Sequence, residues 1–199
     1  MVGFALVAGR IFNKALAYSL TSLVYWCVFC LPLTFYHLGH GDAKSIYAKA
    51  SGSAKSAEKA ALTVLAFVPC LGTLVAVFLP RLTQIPALAL AAALFYAVIN
   101  GTVEELFWRG VFIKFFPNDP VRGWLLPTAL FGAWHIALYY IKGMAYQGGF
   151  VALAGGATAM GLLWGFVAFR TKSIRVVTIA HIAANFFAFS GMIYDNWFV

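Results

Sequence analysis

Residues 100–116, NGTVEELFWRGVFIKFF, set Glu104, Glu105 and Arg109 inside an otherwise apolar run. No polar helix face accounts for them. A charge at the centre of a membrane helix costs roughly 2.5–3.5 kcal/mol on insertion scales, and such residues are characteristically functional. Three so close together need partners. The surroundings are those of a membrane protein: of 199 residues, 63% are hydrophobic and 10% charged, against about 25% charged in soluble domains. A soluble globule of this length has no means of hiding that much apolar surface.

Reading outward from this run gives an all-α, polytopic membrane helical bundle of about six transmembrane helices. Apolar segments are predicted over 15–36, 59–79, 84–116, 122–141, 148–169 and 176–197. The long third segment corresponds to about 45 Å of helix at 1.5 Å per residue. That exceeds a hydrocarbon core of about 30 Å, so a tilt, or a loosening at Asn100–Gly101, is expected. Pro32 predicts a kink or an early stop in the first span. Residues 37–58, rich in Ser, Ala, Gly and Lys, read as a solvated loop with room for a short surface helix. The chain is thus one membrane domain: an N-terminal two-span region over 1–83, and a four-helix catalytic core over 84–199. Gly161 and Gly165 form a GxxxG, expected to serve internal helix packing.

The formal charge is +8, and the cations lie between the apolar runs. That pattern fits membrane topology and contact with the lipid bilayer, and it excludes nucleic acid as a partner. Arg10, Lys14, Arg81 and Lys142 fall on one side. Lys44, Lys49, Lys55, Lys59, Lys114, Arg122, Arg170, Lys172 and Arg175 fall on the other, which the positive-inside rule makes cytoplasmic. Cys27, Cys30 and Cys70 read as packing or lipid-facing residues, since the CxxC lacks the second ligand pair of a zinc site. His37 and His40 read as exposed loop histidines.

The other strongly polar side chains in mid-span lie in FGAWH, ending at His135, and HIAAN, His181 to Asn185. Residues four apart share a helix face, so Glu105 can pair with Arg109, and His181 and Asn185 project together. Glu104 points about 100° away from Glu105. Counted from the cytoplasmic ends at Lys114, Arg122 and Ser173, all four of Glu104, His135, His181 and Asn185 lie roughly 12–20 Å deep. Carboxylate, two imidazoles and an amide therefore sit at one level. A glutamate and a histidine together draw a proton from water. A second histidine and an amide donate to an oxyanion. These are the parts for hydrolysing a peptide bond, with Arg109 neutralising Glu105. A zinc ion on Glu104, His135 and His181 is the alternative, without an HExxH to support it.

EELFWRG, FGAWH and HIAAN resemble the three ordered motifs, EExxxR, FxxxH and HxxxN, of the CPBP (CAAX protease and bacteriocin-processing, or Abi) family, which includes the eukaryotic CAAX prenyl endopeptidase. The similarity covers about residues 84–198. It implies a glutamate-type intramembrane endopeptidase in which Glu104 and His135 activate water. His181 and Asn185 then form the oxyanion site, while Glu105 and Arg109 are supporting residues. Trp108 stands where the family often has Phe, and the short length departs from members with extra N-terminal helices. No cofactor is implied, with Zn the less favoured possibility. The partner is a membrane-associated protein or peptide substrate whose identity the sequence leaves open. By analogy the location is the bacterial inner (plasma) membrane, with the site reached from the cytoplasmic side. The same family includes immunity and chaperone-type members, which keeps a non-catalytic role open.

Overall fold

The computed structural model describes residues 1–48 and 56–199. Among these there is no strand, and the chain is a helical membrane bundle. We number its continuous helices α1 (Val2–Ile11), α2 (Lys14–His37), α3 (His40–Ile46), α4 (Ser56–Arg81), α5 (Ala87–Phe115), α6 (121–139), α7 (Val151–Thr171) and α8 (Arg175–Phe198). Five of them, α2, α4, α5, α7 and α8, are long and apolar enough to cross a membrane. The expected fourth span is α6, which is shorter and carries Arg122, Pro127 and His135; it packs against α7 and α1. The faces turned outward are apolar: Leu88, Phe95, Val64 and Val28 are all exposed. A surface of that kind needs lipid to cover it.

Three expectations change. The polar segment 37–58 is largely helical where it is described. His37 ends α2, α3 follows, and Ser56–Glu58 already belong to α4. Lys49 and Lys55 lie outside the described residues. Pro32 does not stop α2. A wide π-helical turn over Tyr25–Cys30 precedes it, and the helix resumes through His37. The same pairing recurs in α6, where the π turn Val121–Leu125 precedes Pro127. A π turn relieves the missing N–H and the ring clash that proline brings to a helix interior.

Asn100–Gly101, thirdly, is not a loosened point. It lies within the unbroken α-helical run Ala87–Glu105. Gly101 serves helix crossing instead: a Cβ there would stand 2.8 Å from Ile182 Cγ1 and 3.1 Å from the Ile182 backbone nitrogen. The α5 and α8 backbones touch one turn before Glu105 and beside His181. The GxxxG packs internally as expected. A Cβ on Gly165 would meet Trp124 at 2.6 Å, and one on Gly161 would meet Phe131 at 3.0 Å. This seats α7 against α6.

The two ends of the bundle differ in their ties. At one end Lys114 pairs with Asp42, Arg170 with Glu58, and Lys172 donates to the Pro117 carbonyl. There Ile174 N–H also bonds the Ile46 carbonyl at 3.0 Å, and Ser173 Oγ the Ala48 carbonyl at 2.7 Å. At the other end Arg81 pairs with Asp195 at 3.1 Å and reaches Gln147 at 3.1 Å. Asn196 grips the backbone of Ala145 there through two 2.8 Å bonds.

Candidate active site

The adjacent glutamates leave α5 in different directions, as a 100° step requires. Both are sealed, Glu104 at 1% exposure and Glu105 at 0%. Immediately beyond them α5 widens into a π turn, Leu106–Val111, which carries Trp108 and Arg109. Such turns recur at functional sites.

Glu105 is the hub. Its Oε1 lies 3.0 Å from Arg109 Nη1 and 2.8 Å from His181 Nδ1. The carboxylate can only accept when ionised, so the His181 proton on that side is Nδ1–H. The other ring nitrogen, Nε2, faces Glu104 Oε2 at 3.6 Å. His181 is clamped in this pose by Trp164, stacked at 4.4 Å between ring centroids, whose indole N–H bonds the Ala66 carbonyl at 2.9 Å. Arg109 is held over the Phe131 ring at 4.5 Å. The guanidinium is thus compensated by one carboxylate and one aromatic face, while its terminal nitrogens and Glu105 Oε2 find no well-formed hydrogen bond among the described residues.

Glu104 is held differently. Its Oε2 accepts from Asn100 Nδ2 at 2.7 Å. Its Oε1 makes no hydrogen bond that the described residues supply, and neither does Asn185 Nδ2. Both are buried and polar in a cavity of about 510 Å³. Glu104, His135, His181 and Asn185 line this cavity, and its remaining wall is mostly apolar, from α4, α6, α7 and α8. His135 is half-buried, and its Nδ1 lies 2.8 Å from the Phe131 carbonyl. A carbonyl only accepts, so that nitrogen carries the proton and Nε2 keeps its lone pair. The two histidines thus share a tautomer and differ in partner: His135 spends its Nδ1–H on a backbone carbonyl, and His181 on a buried carboxylate.

The six residues singled out in the sequence therefore form two connected groups. Glu105, Arg109 and His181 make a bonded cluster, and Glu104, His135, His181 and Asn185 share a cavity. Neither His135 nor Asn185 bonds directly to Glu104. Among the described residues no three His, Cys, Asp or Glu side chains gather as a metal-ligand set. The three cysteines are free thiols; Cys27 is exposed, and Cys30 and Cys70 are buried.

Four participants escaped the sequence reading. Asn100 could have been found, because it lies one turn before Glu104 on the same face. Trp26 and Tyr25 could not, because nothing in sequence links α2 to α5. Trp26 Nε1 donates to Asn100 Oδ1 at 2.9 Å. Trp108 donates its indole N–H to Tyr25 Oη at 2.6 Å. Tyr25 in turn stacks on Trp134 at 3.7 Å.

A family model described as type II CAAX prenyl endopeptidase Rce1-like matches residues 86–187, which include all three motifs. No curated protein and no solved structure matches the chain.

Proposed function

The chain belongs to the Rce1-like family of type II CAAX prenyl endopeptidases, and from that premise we propose that it is a glutamate-type intramembrane endopeptidase acting on a membrane-associated protein or peptide. The observation that carries this reading is Glu104. It is a buried carboxylate with one oxygen fixed by Asn100, the other unbonded, and an imidazole nitrogen 3.6 Å away in an apolar cavity.

In this reading Glu104 Oε1 and His135 Nε2 accept from a water and draw off its proton. The water oxygen forms the new bond to the scissile carbonyl carbon, and the C=O electron pair moves onto oxygen. Asn185 Nδ2 donates to that oxyanion. His181 joins it through Nε2 only when its ring carries both protons, since Nδ1–H is already given to Glu105. The proton held on Glu104 then passes to the leaving amine as the C–N bond breaks. Glu105 and Arg109 bear no direct chemistry; they orient His181. The four helices of 84–199 form the catalytic core, with the N-terminal spans closing over it. The positive-inside pattern places the end carrying Lys114 and Lys172 in the cytoplasm.

Quantitative proteomics of cells with the wild-type chain against Glu104→Ala tests the activity. A membrane-associated precursor is expected to accumulate uncleaved in the variant. Identical proteomes, with the variant present at wild-type level, would sink the enzymatic reading and favour a binding role. Cleavage that persists in a strong chelator supports the metal-free route, and loss restored by added Zn²⁺ reverses it.

A further inference from the structure

Glu104 is the one buried carboxylate here whose orientation depends on a helix outside the family match. The link is the hydrogen-bonded chain Trp26–Asn100–Glu104, with spacings of 2.9 and 2.7 Å. Its direction follows from chemistry. An indole N–H only donates, so the Asn100 oxygen must face Trp26. The Asn100 NH₂ is thereby committed to Glu104, and an amide turned the other way would oppose two donors at one end and two acceptors at the other. Trp26 is itself buried and wedged against Tyr96, at 5.9 Å between ring centroids. Tyr96 Oη bonds Ser19 Oγ at 2.6 Å, which ties α5 to α2 a second time.

We propose that Asn100 is a positioning residue for Glu104, and that Trp26 sets its donor end so that Glu104 Oε2 is fixed and Oε1 is left for water. The proposal rests on the reading of Glu104 as the residue that activates water. The other groups facing Glu104 meet it in other ways. His181 approaches the same oxygen from α8 without a hydrogen bond. Arg109 pairs with Glu105, and His135 bonds its own helix. Tyr18 and Cys30 of α2 lie within electrostatic reach, and the Tyr25 hydroxyl, which accepts from Trp108, keeps its own O–H to offer Glu104. Asn100 holds Glu104 at 2.7 Å and is itself aimed by Trp26 at 2.9 Å.

The test uses full-length protein in lipid nanodiscs, with Asn100→Asp, Asn100→Ala and Trp26→Phe. Asn100→Asp keeps the shape, removes the donor and adds a like charge. A fluorogenic isoprenylated peptide with a CAAX-type C-terminus reports kcat and KM. Infrared difference spectra, with the Glu104 carboxylate band assigned by its loss in Glu104→Gln, report the hydrogen bond without any turnover. Expected are a fall in kcat of about 100-fold for Asn100→Asp and about 10-fold for Asn100→Ala, the usual scale for groups that orient an acid–base residue. Trp26→Phe should fall by a lesser factor, with KM within about twofold throughout and the Glu104 band displaced in all three. Wild-type kcat in Asn100→Asp, or an unmoved band in folded variants, overturns the proposal. If the wild-type protein does not cleave the peptide while the band still moves, the positioning inference stands and the choice of substrate, or the enzymatic reading itself, is what fails.

Discussion

Glu104 and Glu105 are neighbours with opposite obligations, and substitution should separate them. Glu104→Gln keeps the size and an acceptor for Asn100, and removes the basic oxygen. It is expected to remove cleavage by at least about three orders of magnitude, in line with the loss of an essential catalytic group, while leaving the melting temperature near wild type. Glu105→Gln strips the partner from Arg109 and His181 together. Breaking one side of a buried ion pair costs about 3–5 kcal/mol, so this variant should melt several degrees lower as well as lose activity. Thermal unfolding beside a cleavage assay distinguishes the two. Equal stability losses would mean that Glu104 is also structural. At this level the sequence was informative, because a carboxylate, an imidazole or a guanidinium in an apolar span has few reasons to be there. Trp26 stayed hidden for the converse reason: an indole in an apolar helix looks like packing until its N–H finds a carbonyl.

Among the helices, the α5–α8 crossing is set by the absence of a side chain. Gly101→Val would put methyl groups where Ile182 already stands, 2.8 Å from the new Cβ. Overpacking of this kind costs about 1–3 kcal/mol. Here it also pushes His181 off Glu105, so activity should fall further than the stability loss alone explains. Gly101→Ala should show a milder form of both effects, and wild-type cleavage by Gly101→Val would refute the crossing. The start of α6 gives a second check. Asp119 accepts from the backbone N–H groups of Arg122 and Val121, at 3.0 and 2.9 Å, and pairs with the Arg122 guanidinium. Those bonds to Arg122 hold its carboxyl below the usual aspartate range. A depressed folded value means the stabilisation is present above the unfolded aspartate pKa of about 3.9, and is lost as pH falls through the lower folded one. Asp119→Ala should therefore melt lower at neutral pH, by an amount that salt reduces and that shrinks as the pH is taken below about 4. A gap constant with pH would contradict the assignment. Helix existence and order were readable from the apolar runs. The π turns were not, because they answer to prolines and to tertiary fit, and α1 was missed because Arg10 and Lys14 break the run around it.

For the bundle as a unit, that Glu104, His135, His181 and Asn185 line one cavity could be anticipated by counting from the charged helix ends, since an α-helix converts residue number into height. What counting cannot supply is azimuth. It could not foresee that His181 would turn its Nδ1 to Glu105 and only its Nε2 toward Glu104, or that α2 would lean on the motif helix. Orientation across the bilayer is open to labelling. In a background lacking the exposed Cys27, Asn118→Cys should react with a membrane-impermeant maleimide only from the cytoplasmic side, and Gln147→Cys only from the opposite side. Both positions are exposed, so reversed labelling would invert the positive-inside assignment.

The indole-to-amide bond between Trp26 and Asn100 also has a consequence for inheritance. Although the recognisable motifs all lie downstream, the N-terminal spans cannot be exchanged freely with those of a relative. A chimaera that brings a different residue to position 26 inherits an amide with nothing to aim it. Descendants should accordingly change the two positions together or leave both alone.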